Sequence, residues 1–438
     1  MKIIDKYVIS EHIAPFFLAF AILMFVMLMD FVIDVLDMII EKGVQPGTVF
    51  QLFFLNISWM VALAVPMATL VASVMAFGRL SGDTEVVAMK SNGIPLWRIV
   101  YPAIVVGGIL TVAMMFFGDL VLPKANYRAK LLTRQLVHKR PTLSIKPNVV
   151  VKDFPGFLLK VGEINHRMSE VKNVTIYDNR DRLYPRTITA KRGKFSLTPS
   201  GSRLTLTLID GEIHEVDERS TKSYTRIEFE HQTFRLRAPD REISPSSVRK
   251  GDRELSISEM LLRIETFSPM NEQAHTELDS VIDEAFGELF HPTRRGRGRT
   301  IKTRLITKNI GYLARIHREV NRIQTYEYNI RKLLVEIHKK YSLPFACFFF
   351  ILIGAPIGVW ARRGGLSIGV AASIGFFVIY WAFLIGGEEL ADRGIISPAV
   401  AMWSADFLLL VLGVIFIFNR REWKLPVKRK PDFQQGEP

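Results

Sequence analysis

Apolar residues fall along this chain in long blocks at its two ends and in short alternating runs through its middle. A bilayer core about 30 Å thick is crossed by a helix of ~20 apolar residues rising 1.5 Å each. Three blocks of about that length come early: Ile13 to Ile40, Phe50 to Phe77 and Ile99 to Leu122. Three more come late: Leu343 to Trp360, Leu366 to Ile385 and Pro398 to Phe418. Pro66, Pro102 and Pro356 fall in or near these spans, where neighbouring helices can satisfy the carbonyls that a proline frees. Lys2 and Lys6 precede the first block, but it is too long for a leader and no small-x-small site follows, so it reads as an uncleaved span.

Between the two sets of spans the period changes to two. Val149-Val150-Val151, Phe157 to Val161, Val174 to Tyr177, Leu204 to Leu208 and Tyr224 to Phe229 read as strands. Pro155-Gly156, Asp178-Asn179, Pro199-Ser200-Gly201 and Asp210-Gly211 punctuate them. Short strands at such spacing predict a sandwich, a jelly roll or a partly open barrel. Next, Ile257, Met260, Leu261 and Ile264 have helical spacing, with Ser256 or Ser258 as a cap. A polar stretch expected to be mobile follows, including the basic run Arg294 to Arg299. Helical periodicity returns from Leu305 to Lys340 and, from Tyr326, runs into the fourth span. The predicted organisation is residues 1–123 with three spans, 124–250 as a β domain, 251–341 as a charged, partly helical connector, and 342–438 with three spans and a basic tail.

Charge orients this arrangement. The chain holds 57 Lys+Arg against 43 Asp+Glu, a net charge of +14 in 438 residues that are 49% hydrophobic. Disorder is excluded by that hydrophobicity, and a lone cysteine, Cys347, excludes an internal disulfide and a multi-cysteine zinc site. With the N-terminus inside, the cytoplasmic segments hold Lys2, Lys6, Arg79, Lys90, Arg98, Arg362 and Arg363, and the tail adds six more cations between Arg420 and Lys430. The opposite short loops hold only Lys42 and Arg393. The bias of Lys and Arg toward the cytoplasm therefore places both termini inside and the β region outside. The basic tail reads as an anchor on an anionic inner leaflet, and no nucleic-acid partner is expected.

Two constellations stand out. Asp30, Asp34, Asp37 and Glu41 share one face of the first helix, near its outer end, and line a cavity or lie solvated in a protruding helix. The loop from Arg79 to Gly93 encodes a short helix: Ser81 or Asp83 can cap it, Asp83 and Glu85 fall in its first turn, Val86 and Met89 share a face, and Asn92-Gly93 can end it. Such a helix between two spans docks into a partner's groove or lies on lipid. No nucleotide loop is present; Gly296 to Thr303 lacks the second glycine. Glu336-Ile337-His338 is too short for a metalloprotease motif. Neither cofactor nor metal is expected, and the chain reads as a non-catalytic protein. An intramembrane enzyme using Asp30 and Asp34 lacks a base–nucleophile partner; a membrane-anchored structural or sensory protein with a ligand-binding β domain is the main alternative.

The order of three spans, external β region and three spans joins several local features. These are Ile4-Asp5-Lys6-Tyr7, the loop Phe77-Gly78-Arg79-Leu80 with Glu85 to Met89 and Gly93, and Glu336 to Lys340 leading into Pro344-Phe345-Ala346. Together they resemble the LptF/LptG family, permease subunits of the lipopolysaccharide export ABC transporter. The resemblance is weakest from Asn271 to Asn321, where this chain is longer. It implies an inner-membrane protein with six transmembrane helices flanking a periplasmic β-jellyroll-like domain. It implies pairing with a second LptF- or LptG-like permease around a cavity open to the outer leaflet. It further implies an LptB-like ATPase dimer that takes the coupling helix, here residues 83–91, and LptC- and LptA-like proteins that receive the lipid. Carried onto this chain, the coupling residues are Arg79, Asp83, Glu85, Val86 and Met89. The gate and cavity residues are Asp30, Asp34, Asp37, Glu41 and Lys42, with the 366–385 helix as the other side of the gate, and Leu204, Leu206 and Leu208 line the β domain. Members carry cations where this chain has four acids and Lys42, a departure that puts phosphate contact by that face in question.

Overall fold

The computed structural model describes residues 3–40, 44–139, 147–154, 157–165, 168–178, 186–197, 203–216, 224–237, 249–290, 298–361 and 365–418. The chain forms two compact units, one of residues 1–24, 61–121 and 255–438 and one of residues 25–60 and 122–254. Helices α1 (Ile3–Ile40) and α2 (Pro46–Gly82) contribute to both. The first unit also holds α3 (Glu85–Ser91), α4 (Leu96–Phe116), α6 (Ile257–Phe290), α7 (Gly298–Ala361), α8 (Gly365–Asp392) and α9 (Pro398–Phe418). A π turn, Phe117–Val121, carries α4 into α5 (Leu122–Lys139) of the second unit.

Six helices are long and apolar enough to cross a membrane, matching the six blocks in the sequence. They are not equally covered. In α7, 83% of the apolar window is buried, against 12% in α1 and 22% in α8, so α7 is the hub and the other two present apolar surface outward. Phe350, Tyr380, Ala405 and Leu409 meet Leu70 and Val74 in one buried cluster around this hub. Lipid tails are as apolar as leucine, so association inside a bilayer relies on close backbone approach and hydroxyl-to-carbonyl bonds. Both occur where α2 crosses α7. Ser73 donates to the Ile351 carbonyl at 3.4 Å and Ser81 to that of Val359 at 3.3 Å. A Cβ on Gly358 would stand 2.6 Å from the Val74 carbonyl oxygen, so only glycine permits the crossing.

The stretch expected to be mobile is instead helical through Phe290, and Arg294, Arg295 and Arg297 of its basic run lie outside the described residues. Ile257, Met260, Ile264, Phe267, Asn271, Ala274, Leu278 and Val281 alternate at steps of three and four, a heptad seam. Met260, Ala274 and Val281 are buried along it. On α7 the matching seam includes Ile316, Glu319, Ile323, Leu333 and Ile337. Arg315 pairs with Glu284 at 3.0 Å and Arg322 with Glu277 at 2.8 Å, so residue numbers rise on one helix as they fall on the other. The two therefore form an antiparallel hairpin, and α7 continues from it without interruption through Pro344 into the bilayer segment.

In the second unit six antiparallel strands follow one another in sequence order: β1 (Val151–Phe154), β2 (Phe157–Asn165), β3 (Glu170–Asp178), β4 (Arg186–Leu197), β5 (Arg203–Val216) and β6 (Tyr224–Arg237). The β domain expected between the two sets of spans is thus one up-and-down sheet. Strand β4 was not among the expected strands; its alternation is interrupted by charge. Pairing skips one row across the sheet, Gly162 opposite Asn173, then Lys191, Asp210 and Glu230. Asn173 and Asp210 have φ of 52° and 55° there. The register is the same on both sides of the row, so no residue is inserted; the local turn of the backbone instead reverses which residues point inward: Val161 is followed inward by Ile164, and Leu206 and Leu208 by Ile213. Apolar side chains from both sides of the row thereby reach one face, and twelve of them are buried in its core.

Candidate functional site

The corner joining α2, α3 and α4 holds the densest set of expected functional residues. Helix α2 runs on to Gly82 because Asp83 still donates its N–H to the Arg79 carbonyl at 2.9 Å. Helix α3 thus begins at Glu85, two residues beyond the expected start, and its cap is neither Ser81 nor Asp83. Thr84 occupies that position with φ 61° and no side-chain cap bond. Ser81 is committed to the Val359 carbonyl, and Asp83 pairs with Arg79 at 3.7 Å. The far end of α3 follows expectation. Gly93 has φ 85°, its N–H donates to Lys90, and Ile94 N–H donates to Met89. This doubly bonded ending satisfies carbonyls that the last turn leaves free.

The faces of α3 are now defined. Val86 is 1% exposed and Met89 packs partly against the same cluster of Phe77, Leu80, Leu96, Ile99 and Val359. These two residues turn inward and hold α3 to the unit. Asp83, Val87, Ala88 and Ser91 are exposed, forming the outward surface. Glu85 accepts a hydrogen bond from the Tyr7 hydroxyl at 3.0 Å, and Arg79 reaches Glu11 at 3.0 Å. Burial pushes the Lys90 ammonium below the usual lysine range.

Residues that sequence reasoning left out complete the corner. Arg98 at the start of α4 pairs with Asp5 at 2.8 Å, and Val8, fully buried, sits in the core cluster with Val86. His12 meets the Phe77 ring edge-on at 5.0 Å. The signal was present: Asp5, Val8 and His12 recur at steps of three and four on the first helix, ahead of its apolar block.

Asp30, Asp34 and Asp37 lie on helical backbone of α1, while their side chains, and Glu41 and Lys42 entirely, are outside the described residues. Leu206 and Leu208 are fully buried on the inner face of the sheet; the Leu204 side chain is outside the described residues. Among the described residues no three His, Cys, Asp or Glu side chains gather as metal ligands do. The corner offers an exposed, mostly uncharged helical surface between two spans, a shape suited to docking.

Residues 6–420 match the model of a protein family described as lipopolysaccharide export system permease LptF/LptG. No curated protein matches the chain.

Proposed function

This chain belongs to the LptF/LptG family, multi-pass inner-membrane permeases of lipopolysaccharide export, and on that premise we propose how it takes part. It extracts lipopolysaccharide from the outer leaflet of the inner membrane, with both termini in the cytoplasm and the sheet in the periplasm. The distribution of Lys and Arg supports that orientation. A second permease of the family covers the outward faces of α1 and α8, and the little-buried apolar windows of these two helices support such a partner. The cavity between the two subunits opens beside the α1 acids. Lipid leaves along the apolar face of the sheet toward LptC- and LptA-like proteins.

Energy enters from another chain. Burial is worth ~0.8 kcal/mol per methylene, so withdrawing one long acyl chain costs on the order of 10 kcal/mol. A lipid with several chains exceeds the noncovalent ceiling of about 18–21 kcal/mol. Capture by a passive site cannot supply this. A cytoplasmic LptB-like ATPase dimer supplies it, receiving α3 in a groove.

One observation carries the reading: α3 is pinned inward by Val86 while Val87, Ala88 and Ser91 face out between two spans. Val87→Glu puts a charge into the docked face without touching the inward one. Coexpressed with its ATPase, this variant is expected to lose copurification and stimulated ATP hydrolysis. Undiminished copurification and hydrolysis would sink docking through α3.

A further inference from the structure

Helix α1 is held at one end. Among its first turns Val8 is the buried residue, fully covered in a cluster with residues of α2, α3, α4 and α7, among them Leu80, Val86, Ile99 and Ala355. Further along, Phe17, Leu18 and Ile22 are 63%, 54% and 55% exposed. Around the Val8 anchor stand three polar contacts, each to a different element. Asp5 pairs with Arg98 on α4 at 2.8 Å, Tyr7 donates to Glu85 on α3 at 3.0 Å, and Glu11 pairs with Arg79 on α2 at 3.0 Å. Partly exposed polar contacts of this kind add little to stability, so their geometry is the more telling property. Three contacts in three directions around a buried pivot do something else: they fix the orientation of the helix base relative to the corner.

We propose that Asp5, Tyr7 and Glu11 are positioning residues that clamp the base of α1 to the α2–α3–α4 corner, so that displacement of α3 by its cytoplasmic partner reorients α1. This deepens the docking reading and rests on it. The clamp works because α1 has little cover from its own chain beyond its base, so few contacts within the subunit oppose a turn imposed at its fixed end. Tyr7 is the direct link, since it bonds to the helix that the partner pushes. Asp5 and Glu11 prevent the base from swivelling about Val8 in response.

The test uses the whole complex copurified from membranes, in a Cys347→Ala background. Spin labels are attached at Ile22→Cys on α1 and Ile109→Cys on α4, both exposed. Pulsed EPR measures the distance between them with and without ATP plus vanadate. The parent is expected to shift on trapping. The triple variant Asp5→Asn, Tyr7→Phe, Glu11→Gln is expected to lose at least half of that shift while the ATPase still copurifies. Asp5→Arg, which sets two guanidinium groups against each other, abolishes the shift, and adding Arg98→Asp restores it. The clamp is overturned by a full shift in the triple variant, by a parent that does not shift, or by failure of the swapped pair to recover. Loss of copurification in the triple variant also overturns it, since the three residues would then act on docking itself. Intact copurification of Val87→Glu defeats the docking reading separately, whatever the labels do.

Discussion

Gly358→Ala should be among the most damaging single-atom additions in the membrane-spanning part. The new Cβ would lie 2.6 Å from the Val74 carbonyl oxygen, 2.9 Å from the Gly78 nitrogen and 3.0 Å from the Phe77 Cβ, where ordinary contact begins near 3.4 Å. Two of these three are backbone atoms that no rotamer can move, so α2 and α7 must separate along the crossing. Overpacking of this kind costs about 1–3 kcal/mol. The separation also weakens the Ser73 and Ser81 bonds to α7, and because Ser81 lies in the last turn of α2, it displaces α3. Gly108→Ala is the matched control, since nothing lies within 4 Å of its added carbon. Reversible unfolding in mixed dodecylmaltoside and SDS micelles measures both. Gly358→Ala is expected to lower the midpoint clearly and to reduce ATPase copurification; Gly108→Ala should do neither. Equal midpoints for the two variants would refute the assignment of this crossing as glycine-dependent.

Three further outcomes are expected. Thr84→Gly relieves a threonine held at φ 61° and should stabilise the corner by roughly 1 kcal/mol in the same unfolding assay. Asp406 on α9 is 1% exposed and, among the described residues, neither oxygen has a hydrogen-bond partner; Asp406→Leu should therefore stabilise the helices by ~1–3 kcal/mol, and a marked loss would show that the carboxyl has a partner. On the sheet, the Lys172 ammonium bonded at 2.8 Å holds the Glu163 carboxyl below its usual range. A depressed carboxyl stabilises above its unfolded value, about 4.3, and that contribution disappears as pH falls through the folded value. Midpoints of Glu163→Gln and parent should accordingly differ slightly at pH 7 and converge in acid.

The spans were legible because nothing but a membrane or a buried core explains such apolar runs, and both readings give helices. The hairpin was harder to read. Charges interleave its seam, Asn271 and Glu319 occupy positions normally apolar, and only the step of three and four through Met260, Ala274 and Val281 betrays it. Alternation in the sheet reads correctly up to the unpaired row and then inverts, which a strict period of two cannot anticipate at Asn173 or Asp210, where the backbone is left-handed. At the corner, the sequence marked a short helix and its Asn92-Gly93 end, since those depend on local backbone chemistry. Its start and its faces depend on tertiary partners. Ser81 was drawn to α7, and Val86 and Met89, which look like a docking stripe in isolation, answer to Phe77 and Leu96 instead.

Helix α7 has a mechanical consequence. From Gly358, where α2 grips it, to Gly298 at the opposite end, the rod is about 90 Å long at 1.5 Å per residue. Swinging it by a single degree about that grip carries the remote tip roughly 1.5 Å sideways by the same geometry. Small rearrangements at the α2 crossing are thereby magnified into displacements the size of a bond at the far end of the rod, with no relay of separate parts in between.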